Sequence, residues 1–533
     1  MLSRRPRSPR SPSRTAIGWL TSPAPRRASS VRPRGWLKAT VRPTLGRASA
    51  LLSAALILVG SARCGRAGPA TPPTSPSVLR VGVGQIGVKQ LVDNLTTEGL
   101  AAVGNDGRVS PWLAQDLTVA PNNLSIVIAL RRNVRFHDGS AISAQLVADT
   151  LRAALPQFAG PAFDDVASVR PVSEDQVEIT LRRPSQFVLE SLEAQLQKPG
   201  NSDIGTGPFM SGGSGGALAV RANPNYYLGP PAIAEIDLKE YPSVRAAWAE
   251  LLRDHIDMVY EVGLDELDSL EAATTVNVFS FTRRYQFIVI LNSKNDALRA
   301  PAIRRALNSA IDRPALVRDA MGGHGVPSSG PVWPAHWAAQ PELPAFAFDP
   351  QGAARTFADN RDKGRKDSQS SLHFTCLVAS DAERVALVVK RQLEAVGVEV
   401  ALEEATQADL ARAATTGHFD AIVTSVISGP SIVRPYLWWD SHGPRNIGGY
   451  SSVAADLALE TIRHAVSDDQ YRSGVAKFQQ AILADPPAIF LAWEERARAV
   501  SRRFEVPARP GVDIIRDLHL WRPVAGAARP GNN

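Results

Sequence analysis

Cysteine is nearly absent from this chain. Two occur in 533 residues, Cys64 and Cys376, and their settings are too unlike to form a disulfide framework. Acidic residues are missing from one region only: Met1–Arg66 carries 14 Lys and Arg and no Asp or Glu. The remainder therefore holds 45 basic against 52 acidic residues, a charge of −7 beneath an overall +7. That balance excludes a basic footprint for nucleic acid. Long apolar runs are lacking too. Residues 48–62, ASALLSAALILVGSA, are too few to span a bilayer comfortably, and no later segment is longer. Two catalytic signatures are also missing: there is no HExxH and no histidine pair at helical spacing. The expectation is no metal, no cofactor and no catalytic residue.

What is present begins with an export signal. Arg42 and Arg47 precede the apolar run and small residues follow it, the layout of a signal peptide. Residues 1–66 read as that signal with an over-long basic leader, and Val31 and Val41 are candidates for the true start. Cys64 directly follows the run, so it is a candidate for acylation as a lipoprotein's first residue. Ser61-Ala62-Arg63 departs from the usual lipoprotein pattern, and cleavage near Ala62 with release is the alternative. Residues 67–77, AGPATPPTSPS, are Pro-, Ser- and Thr-rich and read as a tether. The body is expected in the periplasm or at the outer face of the cytoplasmic membrane, touching the membrane only through such an anchor.

From Val78 to about residue 240 the chain alternates short β-branched runs (VLRVGV, LSIVIAL, QVEITL, EIDLKEY) with Gly, Pro and Asn clusters. That texture predicts an α+β lobe. From about 285 it becomes regular αβ alternation. Pro301 opens a stripe of Ile303, Ala306, Leu307, Ala310 and Ile311, and Val385, Val388, Val389, Leu393 and Val396 form a second, closed by Gly397 before the strand VEVALEE. Asp359–Ser370 lacks an apolar period and reads as an exposed loop. Cys376, inside LHFTCLV, reads as a buried thiol.

Three motifs imitate chemistry. Gly82-Val83-Gly84-Gln85-Ile86-Gly87 matches a dinucleotide fingerprint, but the chain moves on into a strand meander instead of returning to a parallel strand with an acidic end. Gly205-Thr206-Gly207-Pro208-Phe209 has no Lys-Ser or Lys-Thr pair after it to meet a phosphate. Phe136-His137-Asp138-Gly139 reads as a hairpin turn, since Asp-Gly follows an alternating run.

Taken in order, five blocks resemble one family, the extracellular solute-binding proteins of peptide and nickel ABC importers (family 5). They are Pro111–Ala144, GTGPF at 205, Arg221–Val259, Tyr285–Val317 ending in Ala-Ile-Asp-Arg, and Asn446–Trp493. The resemblance covers roughly residues 78–520. It implies an α/β, two-lobed periplasmic-binding-protein fold (type II, cluster C-like) with a hinge. Lobe I would span 78–285 with a return at about 494–525, and lobe II 286–493. It further implies a peptide or peptide-like solute held between the lobes and delivered to an ABC permease and ATPase complex.

Two departures from the family pattern stand out. Leu146 replaces an acid in the helix after the hairpin. The loop after Ala421-Ile422-Val423-Thr424 reads SVISGPSIVRP, lacking the Asp with which peptide-binding members often hold an α-amino group and carrying Arg434 instead. An anionic ligand, or one without a free amine, becomes the expectation. The resemblance places Tyr285, Gln286, Arg434, Trp438, Trp439, Asn446, Tyr450 and Trp493 around the ligand. Adjacent tryptophans in an extended segment would face opposite ways, so one of Trp438 and Trp439 is expected in the core. Two other functions stay open: a two-lobed sensor presenting its solute to a receptor, and an exported hydrolase, which would need a nucleophile with a base in reach.

Overall fold

The computed structural model describes residues 77–84, 88–201, 203–213, 216–263, 267, 269–270, 272–343, 346–364 and 372–524. The leader, the tether up to residue 76 and Cys64 lie outside them, as do Gln85–Gly87 of the glycine motif. Among the described residues no helix is long and apolar enough to cross a membrane.

An eleven-stranded mixed sheet organises the chain. Ten of its strands run in the order Phe209–Gly213, Gly216–Ala222, Glu235–Glu240, Val78–Val83, Met258–Val262, Ala488–Ser501, Val276–Leu291, Ala421–Ile427, Leu372–Ala379, Val398–Ala405, and the eleventh, Gly325–Pro327, pairs with Ala488–Ser501 off that path. The first five strands belong to one lobe and the last three to the other. Between them, Val276–Leu291 and Ala488–Ser501 run antiparallel from Val276↔Ser501 to Ile290↔Ala488. Their register breaks where Thr282↔Glu495 gives way to Gln286↔Trp493. Beyond the break Tyr285–Leu291 also pairs along its other edge with Ala421–Ile427, while Ala497–Val500 pairs with Met258–Val262 on the first lobe's side, so the two long strands carry the sheet across both lobes.

The local reasons for these elements are visible in the residues. Ser125–Leu130 alternates half-buried and buried side chains, as a sheet packed on one face requires. It lies in a separate four-stranded sheet, Ala114–Val119, Ser125–Leu130, Gln176–Leu181, Val166–Pro171. The helix Ala144–Ala159 covers that sheet, its Ser143 side chain accepting from the Leu146 N–H. In the second lobe Pro301 opens the helix Pro301–Ser309, and the helix Glu383–Glu394 crosses between two parallel strands, Leu372–Ala379 and Val398–Ala405. Gly397, at φ 84°, makes the left-handed turn between them. Cys376 is buried, and burial pushes its thiol far above the usual range.

One expectation needs correcting. The helix Pro350–Gly364 runs through the first half of Asp359–Ser370. Ala353 and Phe357 bury its inner face, and no proline or glycine intervenes to stop the next turn before Gly364. Residues 365–371 lie outside the described part.

Two of the three imitative motifs of the first lobe, Phe136–Gly139 and Gly205–Phe209, pack on each other. Phe136–Ser140 is a turn in which Gly139 N–H donates to the Phe136 carbonyl at 2.8 Å, with φ 83°. His137 N–H donates to the Gly205 carbonyl at 3.0 Å, and its ring Nε2 lies 3.1 Å from the Gly207 carbonyl. A Cβ on Gly205 would fall 2.0 Å from the Thr96 carbonyl oxygen. These glycines therefore serve close backbone packing. Gly82 does too, since a Cβ there would meet Ile256 Cδ1 at 2.5 Å.

Candidate ligand-binding seam

Two loops meet where the long strands cross. From the first lobe comes Gly104–Arg108, a tight turn closed by Gly104 N–H to the Arg108 carbonyl at 2.8 Å. Its tip carbonyls point outward, and Asn105 O accepts from Trp333 Nε1 at 2.7 Å while Asp106 O accepts from the Trp337 N–H at 2.9 Å. From the second lobe comes Ser428–Val433, which includes a cis Gly429–Pro430 bond. Ser428 N–H donates to the Arg284 carbonyl at 3.0 Å. Gly429 is pressed on Trp333, whose Cε3 would lie 2.5 Å from a Cβ there.

Charge is concentrated along this seam. Glu193 of the first lobe is shared by Arg434 of the second and by Arg284, the latter at 3.2 Å. Burial alone would raise the Glu193 carboxyl, but the two guanidiniums hold it below the usual carboxylate range. One helical turn earlier, Glu190 is 4% exposed and accepts from the Val433 N–H at 2.9 Å and from the Tyr471 hydroxyl at 2.7 Å. Neither donor is a cation, so burial dominates and pushes its pKa up to about 7. At the crossing itself Glu494 is clamped by Arg283 at 2.8 Å and by Arg496, and Glu261 lies 3.4 Å from each arginine.

Aromatic and ionic contacts extend the seam outward. Trp337 stacks on Tyr471 with centroids 5.1 Å apart, and the Arg108 guanidinium sits 3.9 Å over Trp337. Arg108 also reaches Asp468 of the second lobe at 2.7 Å. Buried Asp165 holds Arg463 at 2.6 Å and Arg183 at 2.9 Å. Phe187 packs on Tyr436 with centroids 4.8 Å apart. These contacts join the two lobes into one apolar cluster that includes Ala159, Ala162 and Phe187.

The residues expected around a ligand divide into two groups. Tyr285, Gln286, Trp493 and Arg434 come to the crossing or the seam. Arg283 lies 4.3 Å over the Tyr285 ring, Trp493 meets Trp333 edge-on at 4.9 Å, and Gln286 Nε2 donates to Ser328 Oγ at 2.5 Å and the Gly330 carbonyl at 2.8 Å. Trp438, Trp439, Asn446 and Tyr450 sit deeper in the second lobe. Both tryptophans are core residues, 1% and 2% exposed, because Val433–Trp439 is a helix and not an extended segment. Asn446 spends its amide on carbonyls of Asp440, Ser441 and Tyr450. The Tyr450 hydroxyl donates to the Asp485 carbonyl at 2.9 Å. Arg434, expected to meet a ligand anion, faces Glu193.

Sequence reasoning passed over Glu190, Glu193, Arg284 and Trp333. The signal for the acids was present in FVLESLEA, where two glutamates stand three apart inside an otherwise apolar helical run. An acid buried in such a run must have a partner. Nothing comparable marks Arg284 or Trp333, whose position depends on how distant segments cross.

Residues 108–447 match the family described as bacterial extracellular solute-binding proteins, family 5 Middle. The chain is 22% identical over 454 residues to the oligopeptide-binding protein AppA of Bacillus subtilis, covering 78% of this chain and 83% of that protein. It is 23% identical over 336 residues to the glutathione-binding protein GsiB of Escherichia coli K12, covering 58% of this chain and 64% of GsiB. Among solved structures, NikZ of Campylobacter jejuni, in complex with Ni(L-His), superposes with a TM-score of 0.70 at 20% identity, covering 84% of this chain and 99% of NikZ.

Proposed function

This chain belongs to the bacterial extracellular solute-binding proteins of family 5, and from that premise we propose that it captures a small peptide or peptide-like solute between its lobes and delivers it to an ABC permease and ATPase complex. The reading assigns it no chemical step. Its place is outside the cytoplasmic membrane, held there by a lipid on Cys64 or released.

One observation supports this reading above the rest. The lobes are continuous only through the long strands, whose pairing breaks between Thr282↔Glu495 and Gln286↔Trp493. Elsewhere around the crossing they are joined by side-chain and loop contacts such as Arg434–Glu193, Trp333–Asn105 and Glu190–Val433. Contacts of that kind can part and re-form without unravelling a sheet. A solute that binds the closed arrangement better than the open one would shift the population toward closure.

Native mass spectrometry of freshly purified protein, then of stripped protein mixed with a synthetic tripeptide library, tests the proposal. The expected result is retention of a small subset of tripeptides. Retention of none would refute the peptide class, and release of cleaved fragments would refute the absence of chemistry.

A further inference from the structure

Behind the crossing, on the side of the first lobe, lies a cavity of about 180 Å³. Glu98, Trp112, Glu193, Arg284, Arg516 and His519 are among its walls. It shares Glu193 and Arg284 with the seam, so the two lie side by side.

The acids of this cavity are already spent. Glu98 accepts from Trp112 Nε1 at 3.0 Å, Tyr226 at 2.7 Å and Tyr227 at 3.1 Å through one oxygen, and from Thr206 at 3.0 Å through the other. Burial holds its pKa above the ordinary value in spite of these bonds. Glu193 serves Arg434 and Arg284. Asp517, beside Arg516 in sequence, pairs with Arg509 at 2.6 Å.

Arg516 is what remains. Among the described residues its guanidinium has no carboxylate partner. Its guanidinium carbon lies 5.1 Å from the centroid of the Trp112 ring. A guanidinium that no carboxylate engages has its fork of N–H donors to offer, and that fork matches a carboxylate. Burial depresses the Arg516 pKa, Arg284 and Arg509 add to the effect, and the nearby carboxylates of Asp517 and Glu193 offset part of it, so a bound anion would add to that offset.

We infer that this cavity takes the carboxylate end of the transported solute on Arg516, with Arg284 beside it and Trp112 as the wall. The assignment rests on the proposed function, and it moves anion recognition from Arg434 to the opposite lobe. The volume suits an acid group with a short stem, since cavities near 150 Å³ hold a benzene-sized molecule. Larger parts of the solute remain in the seam.

The test uses N-acetylglycine against N-acetylglycinamide, a pair that differs in charge and little else. Titration of the full protein is followed by the indole ¹⁵N–¹H resonance of Trp112, identified with Trp112→Phe. The expected result is a saturable shift with N-acetylglycine, at least roughly tenfold weaker with the amide and in Arg516→Gln. Arg516→Lys keeps the charge without the fork and should fall between, which separates loss of recognition from loss of folding. Equal responses to acid and amide, unchanged affinity in both Arg516 variants, or stronger binding of inorganic phosphate would each overturn the inference. Saturable, Arg516-dependent binding of N-acetylglycine by protein that retains no tripeptide supports the acid site and sinks the peptide reading alone.

Discussion

The carboxylate of Glu190 lies 2.9 Å from the backbone N–H of Val433, a residue 243 positions later and on the other lobe. With the Tyr471 hydroxyl on its second oxygen, this acid joins the lobes without a cation of its own. The groups facing it are Glu193, Tyr471 and, beyond Tyr471, Arg108. Burial pushes its folded pKa up to about 7, above the ordinary carboxyl value of 4.5. A raised folded pKa means stability that is fully present below about 4.5 and is lost as pH rises through about 7.

Relative to Glu190→Gln, the wild-type protein should therefore gain stability on acidification from pH 8 to 5. The expected size is about 3 kcal/mol. Glu193 has the opposite sign, its carboxylate contributing above the ordinary range and fading below it, and it is common to both proteins. Urea unfolding of the two proteins at both pH values measures the difference. A pH-independent difference would show that Glu190 is solvated and not in the seam.

Gly107 fixes how closely the loops approach. Its φ is 81°, and a Cβ would lie 2.3 Å from His336 Cδ2 and 3.1 Å from the Pro430 carbonyl. Gly107→Ala should hold the seam open and cost at least about 1–2 kcal/mol from backbone strain alone. The expected outcome is tripeptide affinity reduced by tenfold or more with secondary structure unchanged, read by calorimetry and circular dichroism. Wild-type affinity would mean that the solute-bound state does not use this contact.

Asp165 is fully buried between Arg463 and Arg183. Asp165→Ala strands Arg463, which is itself buried, with only the half-exposed Glu460 at 2.9 Å as a substitute. The expected loss is about 3 kcal/mol, toward the lower end of the range for breaking a buried pair. Urea denaturation at neutral pH checks it, and a change under about 1 kcal/mol would mark the pair as hydrated.

Arg434 and Arg516 make separable predictions. Arg434 is engaged by Glu193 across the lobes, so Arg434→Ala should weaken a retained tripeptide and its C-terminal amide alike, by roughly tenfold. Arg516→Gln should weaken only the free acid. Calorimetric titration of both ligands into both variants decides this. Selective loss of the free acid in Arg434→Ala would return the anion site to Arg434.

Elements carried by local chemistry were legible in the sequence. Pro301, Gly397 and the alternation of Ser125–Leu130 stand where turn and periodicity rules put them. The order of the blocks identified the family. The site was less legible, for a physical reason: it is built from side chains brought together by crossing strands, with Glu193, Arg284 and Arg434 arriving from three distant segments. The resemblance puts Trp438 and Trp439 at the expected site, and an extended segment would leave one of them facing the ligand. The chain instead turns helical at Val433 and buries both in the second lobe.

The central claim is a two-lobed protein that closes on its solute. Small-angle X-ray scattering of protein stripped by unfolding and refolding, before and after saturation with a tripeptide selected from the library, tests it most directly. A smaller radius of gyration on saturation, abolished by Gly107→Ala, is the predicted result. An unchanged radius with the tripeptide verifiably bound would contradict the account.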